Sequence, residues 1–210
     1  MSKEWYRRRV WSSEDAKEFE SKLLRAHSRN RAQYLRIQAY HLAEASLHAP
    51  ALQLLDRILM EYPGDPFIAL AHHQRADLLL RLGKSEEAIV AYRQAMEAQR
   101  KNPNIRTGAY LDFAWLVANT SRTSLLDEAI EGLKEFGGEE AWPIAIFKYF
   151  GVLAIIHAAK GNLPLASRHA KNALAAMDAK ESGFRYHRNL GLVRDVEHTI
   201  IKRLIDLAAS

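Results

Sequence analysis

Gly83-Lys84-Ser85-Glu86-Glu87-Ala88-Ile89-Val90-Ala91-Tyr92-Arg93-Gln94-Ala95 reads as a turn followed by a helix with small residues seven positions apart, at Ala88 and Ala95. Gly161-Asn162-Leu163-Pro164-Leu165-Ala166, continued by Ala170 and Ala173, repeats the pattern. A turn that recurs with the same small-residue register predicts a stacked array of helix pairs, each burying its apolar face against its neighbours. Arrays of this kind serve mainly to bind.

Outward from these stretches, helical signals fill the chain. Arg31 to Ser46 and Ala51 to Met60 carry apolar residues at three- and four-residue spacings, and Pro63-Gly64-Asp65-Pro66 breaks the pattern, which makes one antiparallel pair. A second pair runs Phe67 to Leu82 and Ser85 to Arg100, with Ser85 as its N-cap and Glu86 and Glu87 in the first turn. It stops at Asn102-Pro103-Asn104. The third is expected over Thr107 to Asn119 and Ser124 to Phe136, opened by a Ser124/Asp127 capping box. The fourth is expected over Trp142 to Lys160 and Pro164 to Ala179. Before them, Ser12-Ser13-Glu14-Asp15 caps a helix to about His27 that buries Phe19, Leu23 and Leu24. After them, Leu190 to Ala208 places Leu192, Val193, Val196, Ile200, Ile201, Leu204 and Leu207 on one face and reads as a terminal capping helix. The expectation is an all-α single domain over 1–210: an N-terminal extension and helix (1–30), four helix pairs (31–180) and a capping helix (184–210).

The 210 residues are 48% hydrophobic and 26% charged, ordinary globular values that exclude a wholly disordered chain. There is no cysteine, which rules out disulfides and thiolate metal sites and is compatible with a reducing compartment. Residues 1–9 show no apolar leader, and the longest apolar stretch, Ile144 to Ala159, contains Lys148 and His157 and is too short to span a bilayer. A cytoplasmic protein with no membrane contact is expected. Net charge is +5, distributed as basic ends (+3 over 1–30, +5 over 147–210) around an acidic stretch (−4 over 105–146). That pattern suits a solvated mixed surface, or a basic patch for an acidic protein or nucleic acid.

The residues resemble the tetratricopeptide repeat (TPR), in about four degenerate copies over 32–180, with frames starting at Ala32, Ala69, Thr107 and Phe147. Ala76, Gly83, Ala88, Tyr92 and Ala95 match in the second copy, where His72 and Arg75 replace the usual Trp and Leu. Leu35, Ala39, Leu42, Ala51, Leu55, Ile58 and Pro63 match in the first, with Ser46 in place of the turn glycine. Tyr110, Phe113, Ala114 and Val117 match in the third, whose Ala129 arrives three residues late and implies a longer turn. Phe150, Leu153, Ala154, Gly161, Ala166, Ala170 and Ala173 match in the fourth. The resemblance implies a right-handed superhelix of antiparallel helix pairs that holds a partner protein or peptide in its concave groove.

Carried across on that resemblance, one groove column is Arg36, His73, Leu111 and Gly151, and the next is Tyr40, Asp77, Trp115 and Ile155, flanked by Gln33, Glu44, Arg81, Asn119 and Lys148. The Lys/Asn clamp with which the family grips a terminal carboxylate is absent, because Arg36, Tyr40, His73 and Asp77 occupy its positions. Trp115 reads equally as groove or as core. The expected partner is another protein or peptide. Neutralisation of a toxin or effector in the manner of an immunity protein or chaperone is one version of this reading, and self-association into a homo-oligomer is a further possibility.

Two basic and aromatic clusters offer a second surface. Trp5-Tyr6-Arg7-Arg8-Arg9-Val10-Trp11 either grips phosphates, giving nucleic-acid binding, or packs its Trp residues on the first helices with Arg in solvent. Phe184-Arg185-Tyr186-His187-Arg188 is either a functional loop or an anchor for the last helix. Catalysis is poorly supported by the sequence. The nine histidines form no His-Glu-x-x-His motif, and nucleophile elbow, phosphate-cradling loop and catalytic Cys are all missing. His41 with Glu44 or His48 is compatible with one helix face but is also the ordinary make-up of an exposed one. No enzyme activity, metal or cofactor is expected.

Overall fold

The computed structural model describes residues 4–120, 122–138 and 140–210. Among them the chain is all-helical, with ten α-helices, one 3-10 turn and no strand. The helices are α1 (Ser13–Arg25), α2 (Ser28–Glu44), α3 (His48–Glu61), α4 (Ile68–Arg81), α5 (Ser85–Lys101), α6 (Ala109–Ala118), α7 (Leu126–Phe136), α8 (Pro143–Ala159), α9 (Leu163–Met177) and α10 (His198–Ala209). They group into two compact units, Met1–Ala109 and Tyr110–Ser210.

In the first unit, α1 starts because the Ser12 side chain accepts from the Asp15 amide while the Asp15 carboxylate accepts from the Ser12 amide, a complete capping box. Phe19 and Leu23 are buried as expected, but Leu24 is 59% exposed, since it lies on the outer side of a one-sided apolar stripe. α2 packs on α3, α3 on α4 and α4 on α5. The core holds Leu35, Ala39 and Leu42 of α2, Leu54, Leu55 and Ile58 of α3, and Leu78 of α4. Small residues let these helices approach: Ala51, Ala76, Ala88 and Ala95 are all fully buried.

Three helix pairs close with one and the same device. In α2/α3, α4/α5 and α8/α9 the chain reverses through Ser46, Gly83 and Gly161, all with left-handed φ (61°, 73° and 77°). In each, the amide one residue later reaches back to the helix: Leu47 N–H to Leu42 O, Lys84 N–H to Leu79 O and Asn162 N–H to His157 O, each at 2.9 Å. This is the Schellman geometry, which satisfies orphan carbonyls at a helix end and returns the chain at once. The α6/α7 connection departs from it. Seven residues separate the two helices, Thr123–Leu125 forms the 3-10 turn, and the expected lengthening is present.

Three local expectations are corrected. Ser85 is not a capping residue: α5 begins at Ser85 itself, after Lys84, with no side-chain cap. The Ser124/Asp127 box does not form, because Ser124 lies inside the 3-10 turn and α7 starts at Leu126. The last helix starts at His198, not Leu190. Gly191 (φ 72°) and Asp195 (φ 54°) adopt backbone no helix can contain, so Leu192, Val193 and Val196 lie in a loop.

In the second unit, α8 and α9 form the main pair and α10 packs on α9, where Ser167 Oγ donates to Ala208 O at 3.1 Å. Phe147, Val152, Ala154 and Ile156 of α8, Ala166, Ala170 and Ala173 of α9 and Leu204 of α10 are buried at 1% exposure or less. The 183–197 loop is tied to the start of α8: Phe184 stacks on Trp142, and Ile144 N–H donates to Gly191 O at 2.8 Å.

Candidate functional site

α2 and α4, the first helices of two successive pairs, expose facing side chains within the first unit. Ala39 and Ala43 on α2 are too small to fill the space between them, and a cleft of about 70 Å³ remains. Leu55 and Leu78 floor it, Tyr40 and Gln74 wall it, and Glu44, Asp77 and Arg81 stand around its mouth. Tyr40 is 49% exposed, an unusually open setting for a large ring. Arg81 Nη1 lies 3.1 Å from Glu44 Oε1, bridging α4 to α2. Asp77 accepts from the hydroxyl of the buried Tyr92 at 2.8 Å, and His73 Nε2 stands 3.7 Å from its Oδ1. Gln74 Oε1 is buried without a hydrogen-bond partner.

Of the expected groove residues, the structure thus brings Tyr40, Asp77 and Arg81 together with the flanking Glu44. Gln33 is exposed on α2 away from the cleft. Arg36 is half-buried, its Nε has no partner, and burial lowers its pKa, opposed by the charge of Asp65. Gln74 is the cleft residue the sequence reading missed. Only the packed geometry of α2 against α4 shows that its carbonyl turns inward.

In the second unit the expected groove residues are mostly packing. Leu111 is 5% exposed and Ile155 1%, and Gly151 is buried. Trp115 packs 5.6 Å from Phe147 and over Gly151, where a Cβ would come within 3.1 Å of the indole. The indole is therefore part core and part surface. The Trp115 backbone carbonyl accepts from Asn119 Nδ2 at 2.9 Å. Lys148 Nζ donates to Asp112 Oδ1 at 2.6 Å, so its charge is matched within the unit.

The N-terminal cluster is clamped down. Buried Gln38 accepts from the Arg8 amide (3.0 Å) and donates to the Arg8 carbonyl (2.8 Å), pairing with that residue's backbone from both sides. Trp5 packs among Tyr6, Phe19 and Tyr34, and Trp11 against Phe19. Arg8 pairs with Asp15 and Glu18, Arg7 with Glu4 at 3.1 Å, and Arg9 is exposed. Burial first, then the charges of Arg7 and Arg9, hold the His41 pKa below its ordinary value. In the other cluster, Arg185 lies over the Tyr186 ring, Arg188 pairs with Glu181 at 3.1 Å, and Ser182 donates through Oγ to His187 O and through its amide to Arg188 O. Tyr186 is 81% exposed.

A second, wider cleft of about 740 Å³ lies between the 63–66 turn and α5, over Ile68, His72 and Val90. Its rim mixes Arg93, Glu97 and Lys101, and Lys101 pairs with Glu97 at 3.4 Å, so no single charge converges on it. Among the described residues, no helix is long and apolar enough to cross a membrane. No family model, no curated protein and no solved structure matches this chain.

Proposed function

We propose that the chain is a non-catalytic helical-repeat module, TPR-like in its helix pairs, that binds a segment of another protein in the cleft between α2 and α4. The observation that carries this reading is the cleft itself: Tyr40 stands 49% exposed on one wall, over the gap left by Ala39 and Ala43, with an ion pair and a second carboxylate at the mouth. A rigid aromatic ring beside a small apolar hollow is the arrangement that anchors a partner side chain at an interface hot spot. The recurrence of one turn geometry at Ser46, Gly83 and Gly161 supports the repeat architecture that sets the helices face to face.

The test is capture of partners by the tagged full chain from nuclease-treated lysate of its native cell, beside the Tyr40→Ala variant. Tyr40 projects outward, so the variant is expected to keep the wild-type melting temperature. A single partner held at near-stoichiometric yield by the wild type and weakened about tenfold or more by Tyr40→Ala is the expected result. A partner retained in full by the variant, or released by nuclease, overturns the reading.

A further inference from the structure

Residues 5–11 form neither helix nor strand, and their side chains divide by position. Trp5, Tyr6, Arg8 and Trp11 are half-buried, while Arg7, Arg9 and Val10 are exposed. The residues behind them are fully buried: Phe19 of α1 is 1% exposed and Gln38 of α2 is 0%. Trp5 stands between these two helices, 5.2 Å from Phe19 and 5.1 Å from Tyr34; Tyr6 stacks on Tyr34 at 4.6 Å, and Trp11 lies 5.4 Å from Phe19. The Arg8 guanidinium donates to the carboxylates of Asp15 and Glu18 on α1. Gln38 commits both polar atoms of its side-chain amide to the backbone of Arg8, at 3.0 and 2.8 Å.

A buried lining under a half-exposed segment, with a side chain that pairs with the N–H and C=O of one residue as a neighbouring strand would, is the geometry of peptide recognition. The glutamine reads backbone and accepts any residue. Selection comes from the aromatic seats at Phe19 and Tyr34 and from the two carboxylates, which form charge-assisted hydrogen bonds with a guanidinium. Withdrawal of residues 5–11 hands Gln38 to water and strands no buried polar atom. We propose that the groove between α1 and α2 is a second partner site, for a segment of another protein in which two adjacent aromatics are followed by an arginine two residues on and by a further aromatic three beyond it, and that residues 5–11 are its resident intramolecular occupant. Exchange with a second copy would reproduce the same contacts at the added cost of association, so the occupant is a different protein. The tether holds the resident segment at an effective concentration of roughly millimolar, which makes it both the pattern of the ligand and its competitor. The inference does not rest on the α2/α4 cleft.

The probe is the free peptide of residues 4–12, Glu-Trp-Tyr-Arg-Arg-Arg-Val-Trp-Ser, fluorescently labelled and titrated by anisotropy into the full chain and into its Trp5→Ala/Arg8→Ala variant. The two substitutions loosen the resident segment and leave the groove unchanged, so saturable binding about tenfold or more tighter to the variant than to the wild type is expected. The peptide N-methylated at the Arg8 amide, which loses its donor to Gln38, and the Arg8→Ala peptide are each expected to bind the variant about tenfold more weakly. No binding to the variant, equal affinity for the two chains, or indifference to either peptide change overturns the proposal. A second measurement needs no variant of the protein. In the isotope-labelled wild type, peptide in excess of about millimolar is expected to move the Trp5 and Trp11 indole N–H resonances to those of the free segment. Indole signals that stay in place overturn the proposal, whether or not the variant folds. A mass by light scattering that doubles with concentration and returns to that of the monomer on adding the peptide gives the groove to a second copy and overturns the assignment to a different protein.

Discussion

Ser46 takes the left-handed backbone that Gly83 and Gly161 take in the other short turns, but it carries a Cβ there. Left-handed φ costs a non-glycine residue roughly 1–2 kcal/mol, partly offset by the greater unfolded-state freedom of glycine. Ser46→Gly is therefore expected to raise stability by about 0.5–1 kcal/mol, and Gly83→Ala and Gly161→Ala to lower it by about 1 kcal/mol each. Urea midpoints of the three variants check this, and a destabilised Ser46→Gly would show that the serine contributes something beyond its turn. The substitution of Ser46 for the turn glycine was legible in the sequence, because turn chemistry is local. Gln38 and Gln74 were not. Both are polar residues on helices, and whether such a side chain clamps a distant backbone, as Gln38 does at Arg8, or is left with an orphan carbonyl, as Gln74 is, depends on which helix packs over it.

At the scale of the helices, alanines set the distance of approach. Ala76 of α4 and Ala154 of α8 are both 0% exposed, each on the inner face of a closely packed pair. Interiors of native density have no room for three further carbons, so Ala76→Leu and Ala154→Leu are each expected to destabilise by about 1–3 kcal/mol. Thermal or urea unfolding of the two variants reads this directly, and an unchanged transition would move both positions out of the helix interface. The pairing leaves a second trace in charge. Glu20–Arg57, Glu44–Arg81 and Asp112–Lys148 are ion pairs between residues 36 or 37 apart, and each joins a helix to the next but one: α1 to α3, α2 to α4 and α6 to α8. The helix pairs were legible because Pro63-Gly64-Asp65-Pro66 and the glycine turns punctuate them. The last helix was not. Leu192, Val193 and Val196 keep a helical spacing, but two positive-φ residues and the packing of Gly191 under Trp142 hold 190–197 as a loop, a tertiary effect that periodicity does not carry.

For the molecule as a whole, two half-buried histidines are expected to make folding sensitive to mild acid. His72 in the first unit is held below its ordinary pKa by burial and then by Arg75; His169 in the second, by burial and then by the charges of His157 and Arg168. His169 lies between Phe150 and His157 in a continuous stack, with centroid distances of 5.8 and 5.4 Å, and its Nδ1 is buried without a partner. A depressed folded pKa means the native state prefers the neutral ring while the unfolded chain takes up a proton near the ordinary value of 6.5. The stabilisation is thus fully present above that value and is lost as pH falls below it. Each proton taken up also adds to a chain already at +5, which pushes in the same direction. The urea midpoint is expected to fall between about pH 7.5 and about pH 5.5, a window in which ordinary carboxylates remain ionised. His169→Phe keeps an aromatic ring in the stack and removes the titrating group, so it is expected to flatten that fall. A wild-type midpoint indifferent to pH across this window would mean that these rings reach solvent readily enough to protonate in the native state. A His169→Phe variant as pH-sensitive as the wild type would place the sensitivity outside the second unit's stack.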